Sequence, residues 1–396
     1  MYKLKFILLI VILILFPFHL FSQSWEEMQS LASPTGFPVM AAANGNIYLL
    51  SGTQGTSAKT FEYNPGSNAW IEKAPISSGT IYASGVEVGG KIYIMGGLQS
   101  NQKTDLHYIY DPVSDEITNG SALLTPRGYH SAATVNGKIY LIGGQNGDGT
   151  TEWYFDEYNP DTDQWTRKED TPHNQAWYCG AVGLNGKFYR IAGGRWNVPT
   201  DYFDEYNPET DSWTSLDPFP ITCHAPTAVT LEDKIYVMGG YNSEHKIDSI
   251  YTYYPSSKMW VLSFVKLPEP LAYHKAVVLD GYIYVSTKDE STAKGRLWRY
   301  KFGSVGIKSN ETTNEMIISI TPNPNNGQIS ISLSETTNFI NKLEIFDLMG
   351  NCVFRNEINT NNAAKIKINI SELTSGSYFL KVEAGNNIIS KKFIKE

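Results

Sequence analysis

The chain has 396 residues, a formal charge of −8 and an aromatic content of 13 % that includes 25 Tyr and 9 Trp. That length provides for two or three domains, and the aromatic load favours β-structure. A net negative charge with no Lys/Arg run longer than two argues against nucleic-acid binding, and three cysteines are too few for a disulfide-built scaffold.

In chain order, the first feature is "MYKLKFILLIVILILFPFHLFSQ": Lys3 and Lys5, then an apolar run from Phe6 to Phe21 that ends at Ser22. The run is short for a bilayer span and is followed by small-residue cleavage chemistry, so residues 1–22 read as a cleaved signal peptide, an uncleaved anchor being the alternative. No later stretch is apolar enough to cross a membrane, and the mature chain is expected to be exported without a span.

From residue 24 onward one phrase returns: "IYLLSG", "IYIMGG", "IYLIGG", "FYRIAGG", "IYVMGG" and "IYVST", ending at residues 52, 97, 144, 194, 240 and 287. Each is too short for a helix and rich in β-branched and aromatic residues, which predicts a strand buried on both faces. A glycine pair closes most of them, permitting positive φ and close approach by a neighbour. A variable loop follows, then a Tyr-x-Pro turn at Tyr63, Tyr110, Tyr158, Tyr206 and Tyr253; seven residues beyond each Tyr stands Trp70, Ile117, Trp165, Trp213 or Trp260. This spells an outer hairpin, stated almost identically as "FDEYNPDTDQW" and "FDEYNPETDSW". Before each buried strand lies a further turn, such as Asn44-Gly45 or Asn136-Gly137, of the kind that joins two strands with two residues. Each unit is therefore four antiparallel strands, and units stacked around an axis would bury both faces of every sheet. The sixth unit lacks its last strand, whereas an orphan "SWEEM" precedes the first. Trp25 lies 20 residues before Gly45, as Trp213 lies 20 before Asp233, so the N-terminal segment is expected to complete the final unit.

The double glycine followed by spaced Tyr and Trp resembles the kelch-repeat β-propellers over about residues 24–303, with Ser286-Thr287 replacing the glycine pair in the sixth unit. The resemblance implies a six-bladed propeller. The family holds binding scaffolds and a few enzymes, so it says less about function than about fold.

After Phe302 the composition changes. Residues 304–316 are polar and rich in Gly, Ser and Thr, a linker. From 317 to 396 seven short alternating strands predict a small immunoglobulin-like β-sandwich. The motifs "TPNPNNGQISI", "LEIFDLMGNCV" and "INISELTSGSYFLKV", with a terminal "KKFIK", resemble the C-terminal sorting domain of type IX secretion cargo in Bacteroidetes. That resemblance implies an encounter with the type IX machinery, translocation across the outer membrane, and either surface attachment or release. A sandwich that simply stays on as an adhesive domain is the alternative.

The loops after the buried strands vary most, and with the loops entering each inner strand they should share one variable face, where binding residues gather. Nine residues before each inner turn ends stand Phe37, Tyr82, Tyr129, Tyr178, Ala225 and Tyr273, a pseudo-symmetric aromatic ring at the channel mouth, followed in two units by His130 and His274. Nearby loops supply Arg127, His173, Trp177, Arg195, Trp196, His224, Tyr241 and His245. The candidate ligand-binding set is Tyr82, Tyr129, His130, Trp177, Tyr178, Arg195, Trp196, Tyr241, Tyr273 and His274. A purely packing role for the ring is the competing reading. Arg195, Trp196 and Trp177 are demanded by nothing in the repeat. Scattered histidines without zinc spacing, and no phosphate-cradling loop, leave no metal, cofactor or catalytic residue expected. Cys179 and Cys223 read as buried free thiols, with a pair as the alternative.

These readings converge on an exported propeller that binds glycan or protein without chemistry of its own. The alternative, implied by the kelch resemblance, is a carbohydrate-active enzyme akin to a sialic-acid mutarotase, which would need an inward acid/base pair.

Overall fold

A computed structural model describes residues 25–32, 36–55, 57–146, 153–173, 176–195, 198–263, 265–288, 294–302, 318–333, 340–347, 352–357, 365–384 and 387–396. The expected leader and linker lie outside these residues. Every regular element among them is a β-strand.

Six four-stranded antiparallel sheets occupy residues 26–300. Their innermost strands are Val39–Ala43, Ser84–Val88, Ser131–Val135, Gly180–Leu184, Thr227–Leu231 and Lys275–Leu279. Each lies beside the innermost strands of the preceding and following sheets, and Lys275–Leu279 lies beside Val39–Ala43, so the circuit closes as a β-propeller. The second strand of each sheet is the recurring apolar phrase. In Lys138–Ile142, for example, Ile139, Tyr140, Leu141 and Ile142 are all 0–1 % exposed, because neighbouring sheets cover both faces. Burial of that kind contributes about 1.5–3 kcal/mol per large apolar side chain. The inner turns carry two consecutive positive φ values, as at Asn136 (51°) and Gly137 (76°), which matches the strand twist.

The last blade is completed by the chain's own beginning. Glu26 pairs with Arg299 and Glu27 with Trp298. Met28 donates to Leu297 O at 2.8 Å, and Leu31 and Gly295 exchange backbone bonds. The Trp25 ring lies 5.4 Å from that of Tyr300, and its Nε1 donates to Lys266 O at 2.6 Å. In this blade the second strand does not stop at Ser286-Thr287; it runs on to Lys288 against Gly295–Tyr300, which explains the missing glycine pair.

The repeated Tyr and Trp serve one purpose, joining blade to blade. An Asn or Asp in the outer turn, held at positive φ, accepts from the Tyr hydroxyl of its own blade and from a backbone N–H of the preceding blade. Asp163 Oδ1 takes Tyr158 OH at 2.7 Å and Ser121 N at 2.7 Å; Asp211 Oδ1 takes Tyr206 OH at 2.6 Å and Glu169 N at 3.1 Å. Asn68 and Asp115 repeat the arrangement with Gln29 and Ala74. The indole adds a second stitch: Trp70, Trp165 and Trp213 donate Nε1 to Gln29 O, Ser121 O and Glu169 O at 2.7, 3.0 and 2.9 Å. Blade two has Ile117 in place of the indole and keeps only its Asp115. Blade five has Lys258 at the carboxylate position and a Trp260 Nε1 with no acceptor, so it lacks both stitches.

Residues 318–396 form a three-stranded and a four-stranded sheet among the described residues, sharing a core of Ile331, Ile340, Leu343, Ile345, Leu380 and Val382, each 0 % exposed. The "TPNPNNG" motif pins the final strand. Asn323 Oδ1 accepts from Ile394 N at 2.7 Å, Asn325 Nδ2 donates to Ile394 O at 2.7 Å, and Glu396 N donates to Asn325 O at 2.8 Å. Cys179, Cys223 and Cys352 are all free, the first two buried.

Two outcomes follow from this packing. Trp165→Ala should cost about 3 kcal/mol, through lost ring burial and a lost stitch, and Asp163→Ala about 1–2 kcal/mol; both are read by denaturant unfolding. Burial also depresses the pKa of His107, and of His130 and His274 to about 3, below the ordinary 6.5. The unfolded chain then binds more protons as pH falls through 6.5, so stability is full above that value and declines towards pH 4.5 by about 2–3 kcal/mol for each of His130 and His274. Replacing both by Gln should markedly reduce the fall in melting temperature across that window, with His107 contributing to what remains.

Candidate functional site

In five of the six blades the loop that enters the inner strand bends through one left-handed residue: Tyr82 (φ 57°), Tyr129 (64°), Tyr178 (44°), Ala225 (53°) and Tyr273 (59°). Such φ values are costly for bulky residues and persist only where the surroundings require them. Here the requirement is visible. Tyr129 N donates to Tyr82 O at 3.1 Å, Tyr178 N to Tyr129 O at 3.0 Å, Ala225 N to Tyr178 O at 3.0 Å and Tyr273 N to Ala225 O at 3.3 Å. A chain of backbone hydrogen bonds thus runs from the second blade to the sixth around the axis. It turns the side chains inward, where they touch one another: Phe37 to Tyr82 at 4.3 Å between centroids, Tyr82 to Tyr129 at 4.6 Å, Tyr129 to Tyr178 at 5.3 Å and Tyr178 to Tyr273 at 4.9 Å. The aromatic ring foreseen at the channel mouth is a closed cap.

Beside this cap lies a pocket of about 290 Å³ lined by Tyr82, Tyr129, Gln145, Trp177, Tyr178 and His224. The Trp177 indole is nearly parallel to the Tyr129 ring, with 6.0 Å between centroids and 23° between planes. His224 Nε2 is 2.7 Å from Tyr273 OH. Burial pushes the hydroxyls of Tyr82, Tyr129, Tyr178 and Tyr273 upward and the His224 imidazole downward. Near neutral pH the lining is therefore uncharged: π faces, phenol O–H groups, one amide and one neutral imidazole.

Of the ten expected site residues, Tyr82, Tyr129, Trp177 and Tyr178 line this pocket. Tyr273 stands behind it, holding His224, and Tyr241 lies 5.3 Å from the His224 ring. His130 and His274 are elsewhere. They are 5 % and 3 % exposed, below the ring, with the imidazoles seated against Gly96 and Gly239 of the preceding blades. His130 Nε2 is 3.0 Å from Met95 O. Each follows its ring tyrosine by one residue, and that step turns the side chain away from the rim. Trp196 and the Arg195 side chain lie outside the described residues. Arg127 is buried against Asp156, and His173 Nδ1 is 3.2 Å from Asp204, which also receives buried Arg190 at 3.0 Å. Among the described residues no group of three or more His, Cys, Asp or Glu is placed to hold a metal.

Gln145 is the lining residue that sequence reading missed. Gly143 (φ 63°) and Gly144 (94°) reverse the chain, and Gln145 then exchanges backbone bonds with Gly128, immediately before Tyr129. Leu98 meets Ile81, and Tyr241 meets His224, in the same way. The signal was present: the first residue after a glycine pair is brought to the rim.

Comparisons with known proteins agree with this architecture. The Kelch motif family model matches residues 80–116, 126–171, 178–220 and 222–262, and the Secretion system C-terminal sorting domain model matches 319–396. Kelch-like protein 33 of Homo sapiens is 38 % identical over 58 residues, which is 15 % of this chain and 11 % of that protein. The chain therefore spans about a tenth of that relative's length. The solved "Structure of YjhT" superposes with a TM-score of 0.59, covering 78 % of this chain and 99 % of that one, at 16 % identity; so low an identity speaks for fold alone. No helix among the described residues is long and apolar enough to cross a membrane. The chain carries four matched Kelch motifs in a β-propeller and a type IX secretion sorting domain at its C-terminus, and the sorting domain indicates export to the cell surface or beyond.

Proposed function

We propose that the protein is a secreted or surface-displayed binding module: a six-bladed propeller whose variable face takes a glycan or protein ligand, followed by an immunoglobulin-like sandwich that addresses it to the type IX machinery. The observation that carries this reading is the uncharged aromatic pocket on Tyr82, Tyr129, Trp177 and Tyr178. A flat ring with C–H faces and hydroxyl rims complements stacked aromatics flanked by an amide and an imidazole, so a neutral sugar ring is the favoured occupant. Turnover of a sugar would require an acid/base pair matched to the operating pH. The lining residues offer no carboxylate, and burial holds His224 neutral, which supports binding over catalysis.

A glycan array followed by calorimetry on the mature chain tests the reading. Trp177→Ala and Tyr129→Phe separate stacking from hydrogen bonding. Trp177→Ala should weaken binding at least about tenfold, roughly 1.4 kcal/mol, with little change in melting temperature. Equal affinity in that variant, or NMR-detected anomer exchange catalysed by the wild type, would overturn it. Deleting residues 319–396 should leave the propeller inside the outer membrane while the full chain becomes accessible to added protease. A truncated chain reaching the surface equally well would remove the sorting role.

A further inference from the structure

Below the aromatic cap the inner strands enclose a second cavity, of about 130 Å³. The first residue of each inner strand reaches it: Val39, Ser84, Ser131, Gly180, Thr227 and Lys275. Pseudo-symmetry makes these positions equivalent, and five are neutral. The sixth carries an ammonium group. Among the described residues no hydrogen bond or ion pair engages Lys275, and no carboxylate lines the cavity. The hydroxyls differ in availability. Ser131 Oγ donates to Cys179 O and Thr227 Oγ1 to His274 O, each at 2.7 Å. Ser84, 7 % exposed, has an Oγ with no partner. Glycine and alanine at Gly85, Ala132, Ala181 and Ala228 keep the space open.

A half-buried ammonium in a channel without carboxylates, and a buried hydroxyl without a partner, both call for an acceptor in the space they face. We infer that the central channel is a binding site for a small monovalent anion, a halide or a carboxylate no larger than acetate, held by Lys275 Nζ with Ser84 Oγ as a second donor. Desolvation in the channel holds the Lys275 amine below the usual lysine range, and an anion in contact would shift it back upward. The other titratable lining groups, His130 and Cys179, are held neutral by burial, and His130 is committed to Met95 O. The site is independent of the rim pocket and of the ligand proposed there.

Crystals of the mature full chain soaked in sodium bromide test it directly. The expected result is an anomalous peak within hydrogen-bonding reach of Lys275 Nζ, displaced by formate or acetate and retained in benzoate. Lys275→Met, which keeps the aliphatic stem, should abolish the peak; Ser84→Ala should lower its occupancy; Trp177→Ala should leave it unchanged. A wild-type channel holding only water overturns the assignment whether or not the variants fold. So does a peak that survives Lys275→Met or disappears in Trp177→Ala.

Discussion

Closure of the ring is the constraint on which the rest depends. A four-stranded sheet with two apolar faces is stable only between two others, and a circuit of such sheets has no ends to leave uncovered. The circuit here is completed by seven residues, Trp25 to Leu31, laid against Gly295–Tyr300. Backbone pairing fixes their register, and charge reinforces it. Arg299 reaches Glu26 at 2.7 Å, and Arg296 reaches both Glu27 and Glu269 at 3.0 Å. These exposed pairs are individually weak. Their role is geometric, since they orient the first strand of the chain on the last blade so that Gln29 can serve both Asn68 and Trp70 of blade one.

Much of the fold was legible because the repeat states each rule several times. The apolar phrase, the inner turn and the Tyr-to-Trp interval each recur, and Trp25 at the proper interval from Gly45 gave the closing strand. What could not be read was direction within a single residue. His130 and His274 adjoin ring tyrosines in the sequence, but a one-residue step in extended chain sends them beneath the cap. Gln145 was hidden for the opposite reason: a glycine pair with positive φ folds a residue from the end of one strand back to the start of another. Lys275 likewise looks like an ordinary strand-opening lysine until the inner strands are assembled and its position is found to face the axis.

The tyrosines at the mouth do two things at once. Their left-handed backbones build the inter-blade hydrogen-bond chain, and their rings cap the channel. A residue strained for architectural reasons thereby presents an ordered π surface at no further conformational cost, and the variable loops need add only Trp177, Gln145 and His224 to make a pocket. The proposed recognition pocket is thus built onto a scaffold feature, with loops over a rigid frame. The sorting domain follows a similar economy, since the same asparagines that mark its family motif fasten its first described loop to its last strand.

Blade five stands apart in its joint to blade four. Lys258 cannot accept the neighbouring N–H, and the Trp260 indole finds no carbonyl, so the outer part of this boundary relies on Phe203 and Phe219 packing at 4.9 Å around the Trp260 ring, while Ala225 N still donates to Tyr178 O near the axis. At the outer rim, then, the fourth and fifth sectors are held by apolar contact where the others are also riveted, so an oily solvent additive would loosen this sector boundary before the N-terminal clasp.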